Sequence, residues 1–435
     1  MPVIERNICL ITALDSRGMG ITNLESSGQV KLPYTLPGEN VKFEKHVYRN
    51  KESYIPVLIL NKSSNRISPP CKYFTICGGC SLQHLNTLYY QQVKLNNLQK
   101  YLETSDISVH KISSSKYVGD KTRRRAVFEA IKKRDLLFLG FKKFHSNKII
   151  NIDSCLLLMR DLSDLIIPLK NVLKSILDNE EKCIILVTRV ENGIDLTFKI
   201  KDNTFNVQEI ETLQRFAINN NVIRLTIIDN IKWSLIHFSQ KPYVLFDNIS
   251  VEVDNHCFLQ VSKLSDSILA TLVNDIFDKL ENTKQLQIAD LFCGRGTLTI
   301  PASKFGNVDG FEIENSSVKA LKKTINNSLL KVIIRQRDLF VKPLEWDELN
   351  KYDVAIMNPP RSGAAAQAKL FSTSTVTTIL YLSCNLVTFA RDVKFILYHN
   401  RYKLKEIIPI DQFYWSHHIE LLAVFELITT DNKNF

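Results

Sequence analysis

Two reactive side chains stand at the ends of apolar segments in the C-terminal part of the chain. Cys384 follows the apolar run 376–382, and Glu420 lies in the connection 411–420 between two further apolar runs. A cysteine at the end of a buried strand, beside a cofactor, is placed to be a nucleophile. The alternative is that Cys384 is only a small apolar residue in a turn. The neighbouring motifs favour the first interpretation, and they are described next.

A cofactor motif occupies residues 288–301, which read IADLFCGRGTLTIP. An apolar run ends in a glycine-rich turn and a second apolar run follows, which predicts a strand, a tight turn and the start of a helix. Glu312 lies 22 residues after Asp290, a spacing at which an acid meets a ribose hydroxyl in Rossmann-like folds. A dehydrogenase would need a third glycine where Thr299 stands, so the motif fits an S-adenosylmethionine pocket better. The competing interpretation is an ordinary βαβ turn.

A cysteine cluster follows a Ser/Asn/Pro-rich linker at residues 63–70. Cys71, Cys77 and Cys80 have the spacing C-x5-C-x2-C, which favours zinc or an iron–sulfur cluster. The best candidate for a fourth ligand is Cys155. Clustering without a metal is the alternative. Three further cysteines lie in apolar runs and are predicted to be buried thiols: Cys9, Cys183 and Cys257.

Alternating β and α patterns begin at residue 285 and predict the elements that would position the first two sites. The predicted strands are 285–293, 308–312, 331–337, 353–357 and 376–384, followed by an antiparallel pair at 402–413 and 421–427. This is a doubly wound sheet with a terminal hairpin. In such a sheet, function lies at the carboxyl ends of the strands, where the motifs above and Asn358-Pro359-Pro360 fall.

The N-terminal part predicts a different fold. Short alternating runs up to about residue 60, punctuated by Gly and Pro, are typical of a small all-β barrel. Residues 86–102 have helical spacing of their apolar positions. Residues 160–250 alternate helix-like and strand-like runs without identifiable chemistry.

The charge predicts a polyanionic partner, and its distribution points to RNA. The formal net charge is +11, and phenylalanines interleave with the densest basic stretch, so phosphate contact and base stacking are expected. A solvated face over a phenylalanine core is the alternative. The basic residues are Lys121, Arg123, Arg124, Arg125, Lys132, Lys133, Arg134, Lys142, Lys143 and Lys148, and the aromatic ones are Phe128, Phe138, Phe141 and Phe144.

The chain lacks a run of about 18 apolar residues and a secretion-type N-terminus. We therefore expect a cytoplasmic protein in a reducing compartment, with no membrane partner.

The whole chain resembles the RNA (uracil-5-)-methyltransferase family, in its iron–sulfur branch that methylates 23S ribosomal RNA. The resemblance rests on DSRGMGI and LPYTLPGENV, which look like a TRAM domain, and on C-x5-C-G-G-C-S-x-Q-H, LGF with following basic residues, the remote D-x-C, F-x-Q-V, DLFCGxGxxTxP, N-P-P-R-x-G, SCN-x-x-T-x-A-R-D and H-x-E. It implies methylation of carbon 5 of a uridine by S-adenosylmethionine. tRNA is the alternative substrate. A monomer without protein partners is expected.

The resemblance also assigns roles to individual residues. Cys384 would add to the target base, and Glu420 would remove the proton. Gln260, Phe292, Thr297, Glu312, Asp338 and Asn358 would contact the cofactor, and Cys71, Cys77, Cys80 and Cys155 would hold a 4Fe–4S cluster. Arg361 and Arg391 are candidates to stabilise the thiolate.

The implied architecture is multidomain. A TRAM-like, OB-like β-barrel would span residues 1–62, a central α+β iron–sulfur and RNA-binding domain 63–250, and a C-terminal α/β Rossmann-like class I methyltransferase domain 251–435.

Three residues depart from the family pattern. Asn358 replaces the usual Asp, Thr297 the usual Asn or Ser, and Leu386 the usual Pro. We expect uracil to remain the substrate, with weaker rejection of cytosine at Asn358, little loss at Thr297 and a looser turn at Leu386.

Two other functions compete with uracil methylation. Asn358-Pro359-Pro360 is similar to the signature of amino-group methyltransferases, although those usually continue with an aromatic residue, where this chain has Arg361. A non-enzymatic RNA-binding protein is the third possibility, and the presence of Cys384, Glu420 and DLFCGRG speaks against it.

Overall fold

A computed structural model describes residues 3–25, 27–48, 51–201, 205–229, 232–255, 257–280 and 285–428. These residues form two compact units. The first unit contains the chain up to Lys100 together with Phe141–Ile150 and Trp415–His418. The second contains Tyr101–Gly140, Asn151–Tyr414 and the residues from Ile419 onward.

The first unit opens with six strands in two three-stranded antiparallel sheets, ordered β1-β5-β6 and β2-β3-β4. Residues from both sheets share one core, which includes Ile11, Leu32 and Phe43. The sequence therefore predicted the all-β character of this segment. The strands are β1 (Val3–Leu10), β2 (Ala13–Leu14), β3 (Gly20–Leu24), β4 (Gly28–Leu32), β5 (Asn40–Tyr48) and β6 (Lys51–Ile59).

The cysteine-rich segment comes next, and helix α1 (Thr87–Thr104) follows it. The side chain of Asn86 accepts a hydrogen bond from the backbone N–H of Tyr89 at 2.8 Å, as an N-cap does. The helix predicted for residues 86–102 is confirmed.

In the second unit, residues 125–238 build a six-stranded sheet ordered β10-β9-β11-β12-β13-β14. Its neighbours are antiparallel except β12 and β13. The chain passes through β7 (Lys111–Ile112), β8 (Lys116–Tyr117), β9 (Arg125–Lys133), β10 (Leu136–Gly140), α2 (Arg160–Asp164), α3 (Ile166–Ile176), β11 (Lys182–Val190), β12 (Gly193–Ile200), α4 (Val207–Asn219), β13 (Val222–Asp229), β14 (Lys232–Phe238), β15 (Tyr243–Phe246) and β16 (Ile249–Glu252).

The second unit also holds the sheet predicted from the β-α repeats. Its order is β19-β18-β17-β20-β21-β23-β22-β7, with β8 also paired to β22. The elements are α5 (Lys263–Phe277), β17 (Leu286–Leu291), α6 (Thr299–Ala302), β18 (Gly306–Glu312), α7 (Asn315–Asn326), β19 (Val332–Gln336), α8 (Trp346–Leu349), β20 (Val354–Met357), α9 (Ala365–Phe371), β21 (Thr378–Ser383), α10 (Leu386–Leu397), β22 (Tyr402–Asp411) and β23 (Glu420–Leu427).

The central strands of this sheet are buried on both faces, because helices cover them. Every residue of β20 and β21 is buried, as expected for parallel strands that read as continuous apolar runs. The five parallel strands and the terminal antiparallel pair that the sequence predicted are all present. Strands β7 and β8 were not predicted, and they extend the sheet by parallel pairing with β22.

The predicted basic face needs correction at two positions. Arg124 is only 2% exposed, and its guanidinium pairs with Asp266 at 2.7 Å, so it cannot serve as a phosphate contact. Phe128 is fully buried and belongs to the core. Six of the other basic residues are exposed, namely Lys121, Lys133, Arg134, Lys142, Lys143 and Lys148.

The ten basic residues also divide between the two units. Lys142, Lys143 and Lys148 belong to the first, and the others belong to the second.

The predictions for the isolated cysteines are confirmed at two of three positions. Cys9 on β1 and Cys183 on β11 are buried. Cys257 is only half-buried and lies outside a strand, so the prediction was wrong there. Among the described residues, no helix is long and apolar enough to span a membrane.

Candidate active site

The register of the sheet brings the predicted site residues to one edge. Leu291 on β17 pairs with Phe311 on β18 and with Met357 on β20, and Met357 pairs with Tyr381 on β21. The residues that follow these positions therefore share the carboxyl end of the sheet, where doubly wound folds bind their ligands. They include Phe292, Glu312, Asn358 and Cys384.

The turn after β17 needs left-handed backbone at three positions. Phe292, Gly294 and Gly296 have φ angles of 61°, 55° and 92°. A Cβ atom at Gly296 would lie 2.9 Å from Leu321 on α7, so a side chain there would clash as well as strain the backbone. The glycines thus permit a sharp reversal of the chain at the strand end.

Glu312 closes this turn through its side chain. One carboxylate oxygen accepts a hydrogen bond from the backbone N–H of Gly294 at 2.9 Å, and the other accepts from the N–H groups of Ile313 and Glu314, each at 2.8 Å. These bonds fix the carboxylate next to the glycine turn. The oxygen that bonds Gly294 keeps a lone pair that can accept from a ligand hydroxyl.

Asp338 and Phe340 belong to the loop after β19. The carboxylate of Asp338 accepts from the backbone N–H of Phe340 at 2.9 Å. The ring of Phe340 lies 5.3 Å from the ring of Phe292, so an aromatic pair stands beside the glycine turn. The structure therefore brings Phe292, Glu312 and Asp338 to adjacent strand ends.

Cys384 is held between β21 and α10. Asn385, the next residue, caps α10 by accepting from the N–H of Val387 at 3.1 Å, and its amide donates to the carbonyl of Arg361 at 2.9 Å. Leu386 is the first residue of the helix, the position where proline is favoured. Asn385 supplies the cap of this helix, and the looser turn expected from Leu386 stays a prediction.

Asp392 on α10 connects that helix to the loop after β20. The buried carboxylate of Asp392 accepts from the N–H of Ala364 and from the hydroxyl of Tyr381, both at 2.7 Å. Arg391 donates to Asp392 at 2.8 Å and to the carbonyl of Ser362 at 2.9 Å. The N-P-P-R-S-G segment, residues 358–363, is thereby fixed against the helix that follows Cys384.

The Cys384 thiol is strongly protonated in the free protein. The pKa of Cys384 is raised to about 11, mostly by burial and also by the negative charge of Glu420, while the positive charge of Arg361 opposes the increase. Of the two arginines proposed from the sequence, Arg361 acts on the thiol. Arg391 is instead engaged with Asp392.

Glu420 lies beside Cys384. Ser383, the last residue of β21, pairs with Leu421 on β23, so Cys384, which follows β21, and Glu420, the first residue of β23, are adjacent. Burial raises the pKa of Glu420, a hydrogen bond from Gln412 opposes the increase, and the resulting pKa is about 7. A carboxyl group with such a pKa can take up a proton near neutral pH.

Gln412 connects Glu420 to Gln260. Its side-chain nitrogen donates to the carboxylate of Glu420 at 2.8 Å and to the side-chain oxygen of Gln260 at 3.1 Å. All three side chains are buried. Sequence reasoning identified Glu420 and Gln260 but missed Gln412. Its signal was a polar residue directly after β22, which ends at Asp411.

Two more buried polar residues support the glycine turn. Asp290, fully buried on β17, accepts from the hydroxyl of Thr299 at 2.5 Å. Arg295, also missed by the sequence reasoning, donates to the carbonyl of Glu252 at 2.7 Å and to the hydroxyl of Ser316 at 3.0 Å. Thr297 lies in the same turn and is half-buried, and the N–H of Asn358 bonds the carbonyl of Leu291 at 3.1 Å.

The clustered cysteines of the first unit are half-buried. Burial raises the pKa of the Cys77 thiol, and the nearby Cys71 adds to this increase. The N–H of Gly79 donates to the sulfur of Cys77 at 3.5 Å and opposes it. Thiols suit iron or zinc. As placed, however, the described residues include no group of three or more His, Cys, Asp or Glu side chains that could hold a metal ion.

The sheet and the residues at its edge define a Rossmann-like methyltransferase core. Residues 83–426 match the tRNA (Uracil-5-)-methyltransferase family, and the chain belongs to that family. It is an RNA uracil-5-methyltransferase that uses S-adenosylmethionine. The family match favours methylation at carbon over the amino-group methylation considered from Asn358-Pro359-Pro360.

Similar proteins match nearly the whole chain. The 23S rRNA (uracil(1939)-C(5))-methyltransferase RlmD of Francisella tularensis subsp. novicida is 30% identical, with 96% of each chain covered. An uncharacterized RNA methyltransferase of Mesorhizobium japonicum is 31% identical over 96% of this chain and 97% of its own. The tRNA (uracil-54, C5)-methyltransferase of Pyrococcus abyssi, solved with S-adenosyl-L-homocysteine, shares the fold with a TM-score of 0.71 and 19% identity, covering 97% of this chain and all 100% of its own.

Proposed function

We propose that this protein methylates carbon 5 of one uridine in 23S ribosomal RNA, with Cys384 as nucleophile and Glu420 as general base. The observation that carries the proposal is the pairing of β21 with β23, which sets a thiol and a carboxyl group with a pKa of about 7 at adjacent strand ends. Support for ribosomal RNA as substrate comes from the RlmD relative.

The residue types follow from the reactivity of the base. Carbon 5 of uracil is a poor nucleophile. The Cys384 thiolate adds to carbon 6, and the resulting enolate attacks from carbon 5. S-adenosylmethionine supplies the electrophilic methyl group. Glu420 then takes the proton from carbon 5, the bond between sulfur and carbon 6 breaks, and the thiolate leaves.

The cofactor would lie along the carboxyl ends of β17 to β20. Glu312, fixed beside the glycine turn, would accept from a ribose hydroxyl, and the Phe292–Phe340 pair offers an apolar surface. Asp338, Thr297, Asn358 and Gln260 complete the proposed set.

Two variants test the chemistry. Glu420→Gln should accumulate a denaturation-resistant protein–RNA adduct that carries the methyl group, because carbon 5 keeps its proton. Cys384→Ala should form neither adduct nor product. The measurement is transfer of labelled methyl groups, followed by denaturing electrophoresis and mass spectrometry of digested RNA. Methylation of carbon 5 by Cys384→Ala would exclude the covalent mechanism.

tRNA is the second candidate substrate, favoured by the family description and by the tRNA enzyme of similar fold. The same assay should be run with 23S rRNA and with tRNA from cells that lack the enzyme. We expect methylation of 23S rRNA alone. Methylation of tRNA alone would show that tRNA, not ribosomal RNA, is the substrate.

We further propose that Cys71, Cys77, Cys80 and Cys155 hold a 4Fe–4S cluster. The C-x5-C-x2-C spacing and the remote fourth cysteine support this, and the side-chain positions described above do not yet form a ligand group. Anaerobically purified protein should be brown and contain about four iron atoms and four sulfides per chain. Replacing Cys77 by Ser should remove them, whereas Cys183→Ser should not. One zinc ion per chain would overturn the iron–sulfur assignment.

The same proposal includes a TRAM-like domain at 1–62, a central domain at 63–250 and a catalytic domain at 251–435. It also includes a cytoplasmic location, RNA as the only partner and a monomeric state.

A further inference from the structure

Gln412 lies in a continuous buried chain of polar groups. Its amide nitrogen donates to Glu420 at 2.8 Å and to Gln260 at 3.1 Å, and the three side chains are 6%, 4% and 5% exposed. Both hydrogens of the amide are therefore used. Within the described residues, the other amide atom, Oε1, has no hydrogen-bond partner.

This arrangement leaves the Gln412 amide a single orientation. An ionised carboxylate only accepts hydrogen bonds, so Gln412 must turn its nitrogen toward Glu420. The same nitrogen then faces Gln260, which must present its oxygen. A flipped Gln412 would place its oxygen against the acceptors of Glu420 and Gln260, and a flipped Gln260 would place two donors in contact. The three side chains therefore fix one another.

The hydrogen-bonded series of Glu420, Gln412 and Gln260 is anchored at Gln260. The backbone carbonyl of Gln260 accepts from the guanidinium of Arg124 at 2.9 Å, and that guanidinium pairs with Asp266 at 2.7 Å. Arg124 is also bound through its backbone N–H to the carbonyl of Val261 at 2.8 Å. These contacts fix the backbone of Gln260. Gln412 bonds both Gln260 and Glu420, so the position of the Glu420 carboxylate depends on that of Gln260.

The structure assigns to Gln412 the role of a positioning residue that holds the Glu420 carboxylate for proton removal and ties its placement to Gln260. This inference rests on the proposed function of Glu420. Gln412 itself is not required to touch the reacting atoms.

A consequence is that Gln412 sets the protonation of Glu420. Burial raises the pKa of Glu420 to about 7, and the Gln412 hydrogen bond opposes that increase. The charge of Glu420 acts on the adjacent Cys384 thiol, and the charge of Arg361 acts on the same thiol in the opposite direction. Gln260 and Gln412 are neutral. Loss of the Gln412 amide should therefore raise the pKa of Glu420 and reduce its ionised fraction at neutral pH.

The test separates two rates in a single turnover at saturating S-adenosylmethionine. Labelled methyl groups appear first in the denaturation-resistant adduct and then in free RNA. Gln412→Met keeps the side-chain volume but removes the amide, so release should slow by about ten-fold or more at pH 7. The midpoint of the release rate against pH should move upward by roughly one unit, while entry of label into the adduct changes little.

Gln367→Met is the matched control. Gln367 is another buried glutamine of the same unit, and its amide bonds both backbone groups of Leu344, at 2.9 and 3.1 Å. The substitution removes two amide hydrogen bonds without touching Glu420. It should lower thermal stability and leave the pH midpoint of release unchanged.

The outcomes are distinct. If wild-type protein forms no methylated adduct and Glu420→Gln traps none, the proposed function fails. If those two behave as proposed and the release profile of Gln412→Met coincides with that of wild type, the role of Gln412 is overturned. If the melting temperature of Gln412→Met is well below that of Gln367→Met, the isosteric variant Gln412→Glu is used in its place. A second carboxylate beside Glu420 should raise the midpoint further, and an unchanged midpoint there would equally exclude the role.

Discussion

The Cys384 thiol must ionise to react, yet its surroundings oppose ionisation. Burial and the negative charge of Glu420 raise its pKa to about 11. At neutral pH only a very small fraction is thiolate. The positive charge of Arg361 acts in the opposite direction, so this exposed arginine is the described residue that favours the reactive form of the nucleophile.

Arg361→Gln should lower the reactivity of Cys384. Without the positive charge the thiol pKa rises further, so less thiolate is present at any pH below it. We expect alkylation by iodoacetamide to slow by roughly 2- to 10-fold between pH 8 and 10, since an exposed charge is partly screened by solvent. The rate is measured by mass spectrometry of the peptide that contains Cys384.

Two further variants serve as controls for this prediction. Arg391→Gln removes an equal charge from a residue that bonds Asp392 and Ser362, and it should alter the alkylation rate much less. Glu420→Gln removes a negative charge and should accelerate alkylation above pH 7, where Glu420 is ionised. Equal slowing by Arg361→Gln and Arg391→Gln would show that Arg361 has no specific effect on Cys384.

The elements that carry the site were predictable because each has a pattern of its own. Every residue of β20 and β21 is buried, and β17 exposes only Gln287, so the three strands read as predominantly apolar runs. Each run ends where polar or glycine residues begin. In a parallel sheet all carboxyl ends meet at one edge, so the sequence placed Phe292, Glu312, Asn358 and Cys384 together before their contacts were known.

Other features depend on contacts between distant parts of the chain. Strands β7 and β8 have two residues each, and only their pairing with β22 makes them strands. Arg124 looks like a phosphate ligand among basic neighbours, but its partner Asp266 is 142 residues away (266 − 124). Gln412 acquires its role from Gln260 and Glu420. No local pattern encodes such pairings, so the sequence could not predict them.

At the scale of the whole molecule, the excess of positive charge is carried by exposed side chains of both units. Lys142 and Lys143 lie in the first unit, and Lys133 and Arg134 lie in the second. The buried Arg124 adds nothing to this surface, since Asp266 balances its charge. RNA of either candidate class would meet an electrostatic attraction that does not depend on sequence. This attraction does not distinguish one base from another.

The buried carboxyl group of Asp290 on β17 links the stability of the fold to pH. Burial raises the pKa of Asp290 to about 7, the Thr299 hydrogen bond opposes this, and Glu312 adds to it. In the unfolded chain the carboxyl ionises near its ordinary value of about 4. The folded state thus binds the proton more tightly. Its contribution to stability is full below pH 4 and is lost as pH rises to 7.

Asp290→Asn should therefore become more stable relative to wild type as pH rises. Asparagine does not titrate, it can still accept from Thr299, and any fixed cost of the substitution is the same at both pH values. Between pH 5 and pH 8 the difference in unfolding free energy should shift in favour of the variant by a few kcal/mol at most, on the order of 1.4 kcal/mol per pKa unit. Urea unfolding midpoints followed by circular dichroism at the two pH values measure it. Asp353→Asn removes one charge at the opposite end of the sheet, where the carboxylate bonds the N–H of Gln287 at 2.9 Å, and serves as the control. A relative stability of Asp290→Asn that stays constant from pH 5 to pH 8, or that tracks Asp353→Asn, would mean that Asp290 is ionised in the folded protein across this range.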